Sequence, residues 1–258
     1  MKIVVLIKEV PDTYNKRVLD LETGLADRAA SDAILDESSE RALEVALSHA
    51  EGHDDVEILA LCLGPESAAT SARKAFAMGA HRVAHIADDA LLGADIGLTA
   101  EALAAAIRQD GFDLVITGST ATDGTSGMVP AALAELLDAA LLSGLSSVEI
   151  SADAVAGTRI TDGQVQQLRA AFPAVISITE ALPEARFPNF KGIMAAKKKK
   201  IEQFDLAELS VEADREDTAR SIMLSIAEKP PKQAGVLIVD SGDAGEQLAA
   251  FLVENHLA

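Results

Sequence analysis

Short apolar runs alternate with longer Ala- and Leu-rich stretches along the first part of the chain. Residues 2–8 (KIVVLIK) and 56–63 (VEILALCL) are nearly continuous in Val, Ile and Leu, which is typical of strands buried on both faces of a parallel sheet. Between them, ERALEVALSHA repeats apolar residues at helical spacing, and Ser38 or Ser39 is the expected N-cap. The order strand, helix, strand predicts a parallel pair joined by a helical crossover.

The same alternation continues further along the chain. Strands are expected at residues 82–86 and 113–117 (DLVIT), and Gly79 ends the helix before the first of them. Asp95 or Thr99 starts the helix between these two strands. We therefore expect an α/β fold with a mostly parallel, helix-flanked sheet.

The pattern changes at about residue 145. Short runs separated by Ala-Gly and Asp-Gly turns, up to residue 180, predict an antiparallel extension. The tail is acidic, is interrupted by a stiff Pro-Pro pair at residues 230–231, and ends in a predicted short strand and helix. These changes indicate an α/β domain over residues 1–200 and a C-terminal arm over residues 201–258 that lies on something larger.

Composition excludes several classes of protein. The 258 residues include 41 acidic and 22 Lys or Arg side chains, a formal charge of −19, which argues against general binding to nucleic acid or anionic membranes. No apolar run reaches the roughly 18–20 residues needed to span a bilayer, so no membrane insertion is expected. The opening segment lacks a small-residue cleavage site and predicts a strand instead of a signal peptide. With a single cysteine, Cys62, no internal disulfide is possible, and a cytoplasmic location is expected.

Positive charge is concentrated in one segment. Residues 186–200 (RFPNFKGIMAAKKKK) carry six basic side chains and no acid, and they include Phe187 and Phe190. A basic loop with an apolar tip suits docking to a negatively charged partner, because charge steers the encounter and a buried Phe supplies contact energy. The alternative is a solvated lysine run on a surface loop.

A long polar loop follows the DLVIT strand. Residues 118–130 (GSTATDGTSGMVP) end where a helix begins, so free N–H groups and the positive end of the helix dipole point to one spot. Thr125 and Ser126 could add hydroxyl donors. Gly124 and Gly127 allow close backbone approach, which indicates a phosphate-sized anion site. The loop matches neither G-x-x-x-x-G-K-[ST] nor G-x-G-x-x-G and has no lysine, so it is expected to hold a nucleotide without cleaving it. A capped helix whose loop binds nothing is the alternative.

No catalytic or metal site is predicted. His49 and His53 are separated by the expected end of a helix. His81 and His85 straddle a strand that would hold them roughly 13 Å apart, beyond the reach of one metal ion. Cys62 lies inside a strand pattern and is expected in the core. No Ser occupies a G-x-S-x-G motif, and no pair of carboxylates has a spacing that singles it out.

Several segments together resemble the beta subunit of electron transfer flavoproteins. The most specific is GIMAAKKK at residues 192–199, which follows a Phe- and Pro-rich lead. Further matches are KEVPDT at residues 8–13, the stretch of residues 64–80 that begins with Gly-Pro and ends with AMGA, and the loop of residues 117–130. The match covers most of residues 1–200 and weakens in the tail.

The resemblance implies an adenine-nucleotide-binding, Rossmann-like domain within an αβ heterodimer. Such a heterodimer carries one FAD, held mostly by the alpha subunit, and one AMP in the beta subunit. It accepts electrons from acyl-CoA and related dehydrogenases, as in fatty acid oxidation, and passes them to a quinone oxidoreductase. The chain itself would then be an electron-carrier subunit without a catalytic site of its own.

The resemblance also assigns residues to these roles. The region of Thr13 and Tyr14 is expected near FAD, and the recognition loop at about residues 184–200 is expected to insert Phe190 into a partner dehydrogenase. The residues expected to bind AMP are Leu6, Asp36, Ser38, Ser39, Leu63, Asp123, Gly124, Thr125, Ser126, Gly127, Met128 and Val129. The residues expected to dock partners are Phe187, Phe190, Ile193, Met194, Lys197 and Lys198.

Some positions depart from the family pattern. Many relatives have a Lys-Gln pair where this chain has Ser119-Thr120, and an Asn-Pro-aromatic element where it has Asp-Glu-Ser at residues 36–38. One alternative is a bifurcating-type flavoprotein subunit with a second FAD in place of AMP, but the loop lacks the pattern of that branch. Another is a stand-alone adenine-nucleotide sensor, which would not explain the lysine loop or the long tail.

Overall fold

The computed structural model describes residues 1–232 and 234–257. The chain divides into two compact units, Met1–Leu224 and Ser225–Ala258. The helices are α1 (Glu37–Ala50), α2 (Ala69–Met78), α3 (Ile96–Asp110), α4 (Val129–Leu136), α5 (Phe190–Ala196) and α6 (Ala244–Glu254), with short 3-10 turns at Glu66–Ala68 and Asp89–Leu91. The strands are β1 (Lys2–Ile7), β2 (Glu9–Pro11), β3 (Ala33–Leu35), β4 (Glu57–Leu63), β5 (Arg82–Ile86), β6 (Leu114–Gly118), β7 (Ala140–Ile150), β8 (Ala154–Thr161), β9 (Gln164–Ala171), β10 (Ala174–Ile178) and β11 (Glu202–Phe204).

A nine-stranded sheet runs through the first unit in the order β11-β5-β4-β1-β6-β10-β7-β8-β9. All pairs from β11 to β7 are parallel, whereas β7, β8 and β9 pair antiparallel. This confirms the expected α/β class with a mostly parallel, helix-flanked sheet and an antiparallel extension. A separate antiparallel pair, β2 with β3, brackets an excursion of the chain over residues 12–32.

The position of β10 corrects one expectation. The sequence pattern places AVISI in an antiparallel meander, but β10 lies between β6 and β7 and is parallel to both. All of its residues are buried, as is typical of a strand covered on both faces. The expectation was wrong because turn residues mark where a strand ends and do not show which neighbour it pairs with.

Helices cover both faces of the sheet. On one face, Leu43 of α1 and Phe76 of α2 belong to one buried apolar cluster. On the other face, Leu103 of α3 and Leu133 of α4 belong to a second cluster. Because apolar contacts occupy both faces, the polar groups with functional potential lie at the ends of the strands and in the loops.

The carboxyl ends of β4, β1 and β6 lie side by side, since these strands are parallel neighbours. The chain runs from β1 to β4 and β5 in one direction and then returns to β6 on the other side of β1. In an open α/β sheet, ligands bind in the crevice at such a reversal of strand order. The loop between β6 and α4 therefore lies where a ligand site is expected.

The helix ends show how local sequence acts. The N-cap of α1 is Asp36 instead of Ser38 or Ser39, because the Asp36 carboxylate accepts the N–H of Ser38. The N-cap of α3 is Asp95, one of the two expected residues. Gly79 follows α2 with a φ of 133°, a conformation that glycine adopts without strain.

Residues 201–224 belong by their packing to the first compact unit. Strand β11 pairs with β5, and Ile201, Leu206 and Leu209 are buried.

In the second unit, residues 235–240 form no strand, contrary to the expectation, and α6 follows them. Among the described residues, no helix combines the length and the apolar character needed to cross a membrane. That the tail packs on a partner subunit stays a prediction.

Candidate functional site

The carboxylate of Asp36 joins the start of α1 to the loop after β6. It is fully buried. Its Oδ1 accepts hydrogen bonds from the N–H and the hydroxyl of Ser38 at 2.9 and 2.6 Å. Its Oδ2 accepts from the N–H and the hydroxyl of Thr122 at 2.9 and 2.8 Å. These hydrogen bonds offset the burial of the carboxylate and hold two segments 86 residues apart in one place.

The end of β1 is tied to the same place. The carbonyl of Lys8 accepts the N–H of Asp36 at 2.9 Å, and the N–H of Lys8 donates to the Ser39 hydroxyl at 3.2 Å. Gly118, at the end of β6, approaches so closely that an added Cβ would lie 2.2 Å from Ser38 Oγ. We call this contact of residues 8, 36–39 and 118–122 the Asp36 junction.

A cluster of three charges lies beside the Asp36 junction. Asp123 accepts hydrogen bonds from Lys8 Nζ at 2.8 Å and from Arg28 Nη2 at 3.3 Å. Burial acts to raise the pKa of the Asp123 carboxyl, whereas the hydrogen bond and the positive charge of Lys8 act to lower it. With the N–H of Gly124 and the charge of Arg28 added, the pKa of Asp123 lies below its ordinary value, so this side chain is ionised at neutral pH.

The sequence alone does not predict that Lys8 and Arg28 belong to this cluster. Lys8 follows β1 directly, and its place at a strand end is a signal that could have indicated it. Arg28 lies in the irregular excursion of residues 12–32, where no periodic pattern predicts its neighbours. Its Nη1 also donates to the Glu9 carbonyl at 3.2 Å, which ties the excursion to the loop after β6.

The expected phosphate-binding residues 124–128 form an exposed rim before α4. Thr125 and Gly127 have φ values of 50° and 64°, so the backbone turns sharply twice within this rim. No side chain caps the first turn of α4. Pro130 has no N–H, so the N–H groups of Val129 and Ala131 are the ones left for other acceptors, and the helix dipole there favours an anion.

An apolar surface adjoins the polar rim. Leu6, Leu63 and Val129 are partly buried, and all three pack against the apolar cluster on the face that α3 and α4 cover. Leu6 lies near the end of β1 and Leu63 at the end of the neighbouring β4. Nucleotide sites typically combine an apolar surface with a few polar groups, and this edge of the sheet offers both.

Thr13 and Tyr14 lie in the turn that begins the excursion of residues 12–32. The Asp12 carboxylate accepts the N–H of Tyr14 at 3.0 Å. The Tyr14 side chain is 94% exposed, and an aromatic ring with so little contact is available to another molecule. Its expected place near FAD stays a prediction.

Residues 186–200, which we call the docking element after the role expected of them, form α5 and its flanks. Asn189 caps α5 by accepting the N–H of Gly192 at 2.8 Å. Phe187 and Phe190 are 94% and 79% exposed, so two large apolar rings face solvent within one basic segment. The other exposed residues that were expected to dock partners are Ile193, Met194, Lys197 and Lys198.

The contacts of His49 and His53 and the burial of Cys62 are typical of residues with a structural role. His49 and His53 stack with their ring centroids 4.3 Å apart. Burial raises the pKa of the Cys62 thiol to about 12, so the thiol stays protonated at neutral pH. Among the described residues, no group of three or more His, Cys, Asp or Glu side chains is placed to hold a metal ion.

Known proteins resemble this chain over nearly its whole length. Residues 23–209 match the family described as the electron transfer flavoprotein domain. The chain is 45% identical over 262 residues to electron transfer flavoprotein subunit beta of Mycobacterium tuberculosis, covering 99% of this chain and 98% of that protein. It is 44% identical to the subunit of the same name from Mycobacterium leprae, with the same coverage. It is 32% identical to that from Bacillus subtilis, covering 96% of this chain and 94% of that protein.

Proposed function

The chain belongs to the electron transfer flavoprotein family as a beta subunit, and we propose that it holds one AMP at the carboxyl edge of its sheet and docks dehydrogenases through the docking element. An alpha subunit is its partner and holds most of an FAD, which supplies the redox chemistry. Electrons pass from acyl-CoA and related dehydrogenases through that FAD to a quinone oxidoreductase. In this proposal the chain has no catalytic site of its own.

The observation that carries the AMP proposal is the uncapped first turn of α4 beside the Asp36 junction. The exposed rim of residues 124–128 supplies N–H and hydroxyl groups that suit a phosphate. Leu6 and Leu63 offer apolar contact to an adenine ring. The segment that borders the adenosine is held to the end of β1 and to the loop after β6 by hydrogen bonds of Asp36, Ser38 and Ser39.

Nucleotide extraction tests this proposal. The chain is coexpressed with its alpha subunit, and the pure heterodimer is denatured and its small molecules quantified. We expect one AMP and one FAD per heterodimer. Two FAD and no AMP would overturn the AMP assignment in favour of a bifurcating-type subunit. A colourless homodimer that binds adenine nucleotide would favour a stand-alone sensor instead.

The docking proposal is supported by the exposure of Phe187 and Phe190 among exposed lysines. Burial of one Phe in a partner contributes about 1.5–3 kcal/mol. A small apolar anchor combined with charge steering gives fast and reversible association, which an electron carrier needs because tight binding would stall turnover.

Substitution of the anchor tests docking. In Phe190→Ala we expect a higher KM for a reduced acyl-CoA dehydrogenase, with unchanged flavin and AMP content. Ile160→Ala is a matched control, because Ile160 is also exposed but lies on β8. Phe187→Ala determines which ring is the anchor. Wild-type kinetics in both phenylalanine variants would contradict the docking proposal.

A further inference from the structure

The docking element is capped from the neighbouring helix. Arg73, on α2, donates from Nη1 to the carbonyl oxygens of Ala196 and Lys199 at 2.9 and 2.8 Å. These carbonyls lie at and just beyond the end of α5, where carbonyl groups lack partners within the helix. Arg73 therefore satisfies the end of α5 and brings to it the positive charge that a helix C-terminus favours.

The contact is reciprocal. Lys199, which follows α5, donates from Nζ to the carbonyl oxygens of Ala80 and His81 at 3.1 and 3.4 Å, just beyond the end of α2. The same ammonium lies 4.8 Å from the centroid of the Phe76 ring, within the range of a cation–π contact. Arg73 of α2 thus holds the end of α5, and Lys199 holds the link between α2 and β5.

Two further contacts limit where the docking element can lie. An added Cβ on Gly192 would be 2.4 Å from the Ala77 carbonyl oxygen, so α5 and α2 pack backbone against backbone. At the start of the element, Arg186 donates to both carboxylate oxygens of Glu44, at 2.7 and 2.8 Å. It also donates to Glu51 at 2.6 Å. Both ends of the element are therefore fixed to the domain.

We propose that Arg73 and Lys199 are positioning residues that order the docking element before a dehydrogenase arrives. This inference rests on the proposed docking function. The lysine run then has two roles, since Lys199 holds α5 against α2 while Lys197 and Lys198 remain exposed to the partner. An element that is ordered in advance loses less conformational entropy on binding, so the same contacts give tighter association.

The kinetic test uses the heterodimer with a reduced acyl-CoA dehydrogenase as electron donor. In Arg73→Ala we expect KM for the dehydrogenase to rise roughly tenfold, while kcat stays within about twofold of the wild-type value. The reason is that the docking element must then become ordered at each encounter with the dehydrogenase. Arg73→Lys keeps the charge and a carbonyl contact and should recover most of the loss. Lys199→Gln is a second variant with the same expected direction. Arg169→Ala, on the exposed edge strand β9, is the matched control.

Amide hydrogen exchange of the heterodimer supplies a readout that needs no dehydrogenase. In Arg73→Ala and Lys199→Gln, exchange should become faster in residues 190–199 and stay at the wild-type rate in the rest of the sheet domain. Uniformly faster exchange across the domain would assign Arg73 to general stability and overturn the proposal.

The kinetic outcomes separate this inference from the function on which it rests. Wild-type KM in Arg73→Ala and Lys199→Gln, with a raised KM in Phe190→Ala, would make the positioning role wrong and leave docking intact. Wild-type KM in the phenylalanine variants as well would make the docking function wrong, and the positioning role with it.

Discussion

The carboxyl edge of the sheet and the docking element are built in opposite ways. At the sheet edge, Asp36 and Thr122 are brought together from 86 residues apart, and the carboxylate between them is fully buried. In the docking element, the exposed groups all come from residues 186–200. A defect at the sheet edge should therefore lower the stability of the fold, whereas a defect at the exposed tip should lower partner affinity only.

Both regions nevertheless depend on one glycine each. Gly118 lies against Ser38 at the sheet edge, and Gly192 lies against Ala77 beneath α5. A Cβ at either position would overlap a neighbouring atom. The two regions differ in what surrounds the glycine, which is a buried polar network in one case and the base of an exposed helix in the other.

Removal of the Asp36 carboxylate should have the largest effect. Asp36→Ala removes a fully buried carboxylate and leaves the partly buried donors of Ser38 and Thr122 without their acceptor, so we expect the free energy of unfolding to fall by about 3 kcal/mol. The purified heterodimer should lose AMP. Chemical denaturation and nucleotide extraction measure the two effects, with Asp54→Ala in an exposed turn as control. A stable variant that retains AMP would show that the Asp36 junction does not organise the sheet edge.

Substitution of Gly192 should have the next largest effect and should sharpen the contrast. In Gly192→Ala the added methyl group must push α5 away from α2, which should destabilise the protein by about 1–3 kcal/mol. KM for the dehydrogenase should rise while AMP content stays unchanged. Gly52→Ala is the control, because an added Cβ there meets no atom within 4 Å. Unchanged KM would mean that the docking element tolerates displacement.

Low pH should lower the stability of the sheet edge, because it protonates the Asp123 carboxylate. Since the folded-state pKa of this carboxyl is lowered from 3.8, its stabilising effect is fully present above that pH and is lost as the pH falls through the folded-state value. Because solvent screens part of the ion pair, we expect a contribution of about 1 kcal/mol or less. The free energy of unfolding of Asp123→Asn should begin to converge with that of wild type as the pH falls below about 4. A constant difference between them down to pH 2 would contradict this assignment.

Loss of exposed lysines should have the smallest effect. The double variant Lys197→Ala, Lys198→Ala should accept electrons roughly two- to threefold more slowly at low ionic strength, and the difference should vanish near 1 M salt. Stability and AMP content should not change. A defect that persists at high salt would mean that these lysines make close contacts instead of steering the encounter.

The main features of the fold follow from local sequence. The continuous apolar runs of β1 and β4 predict buried parallel strands, and Asp95 and Gly79 mark helix ends where the structure has them. The N-cap of α1 was misplaced at Ser38 or Ser39, because adjacent residues with similar capping ability cannot be ranked without the backbone. The parallel pairing of β10 was missed because strand order is not a local property.

For the candidate site, the amino-acid sequence by itself determined the polar loop before α4, the basic segment and its exposed phenylalanines, since each is one continuous stretch. Only the tertiary structure decided that Asp36 meets Thr122, that Arg28 meets Asp123 and that Arg73 caps a helix 123 residues further along. Hydrogen bonds between distant segments depend on the order of strands in the sheet and on how loops close. Patterns with a period of two or 3.6 residues report which side chains are buried, but not which distant groups they meet.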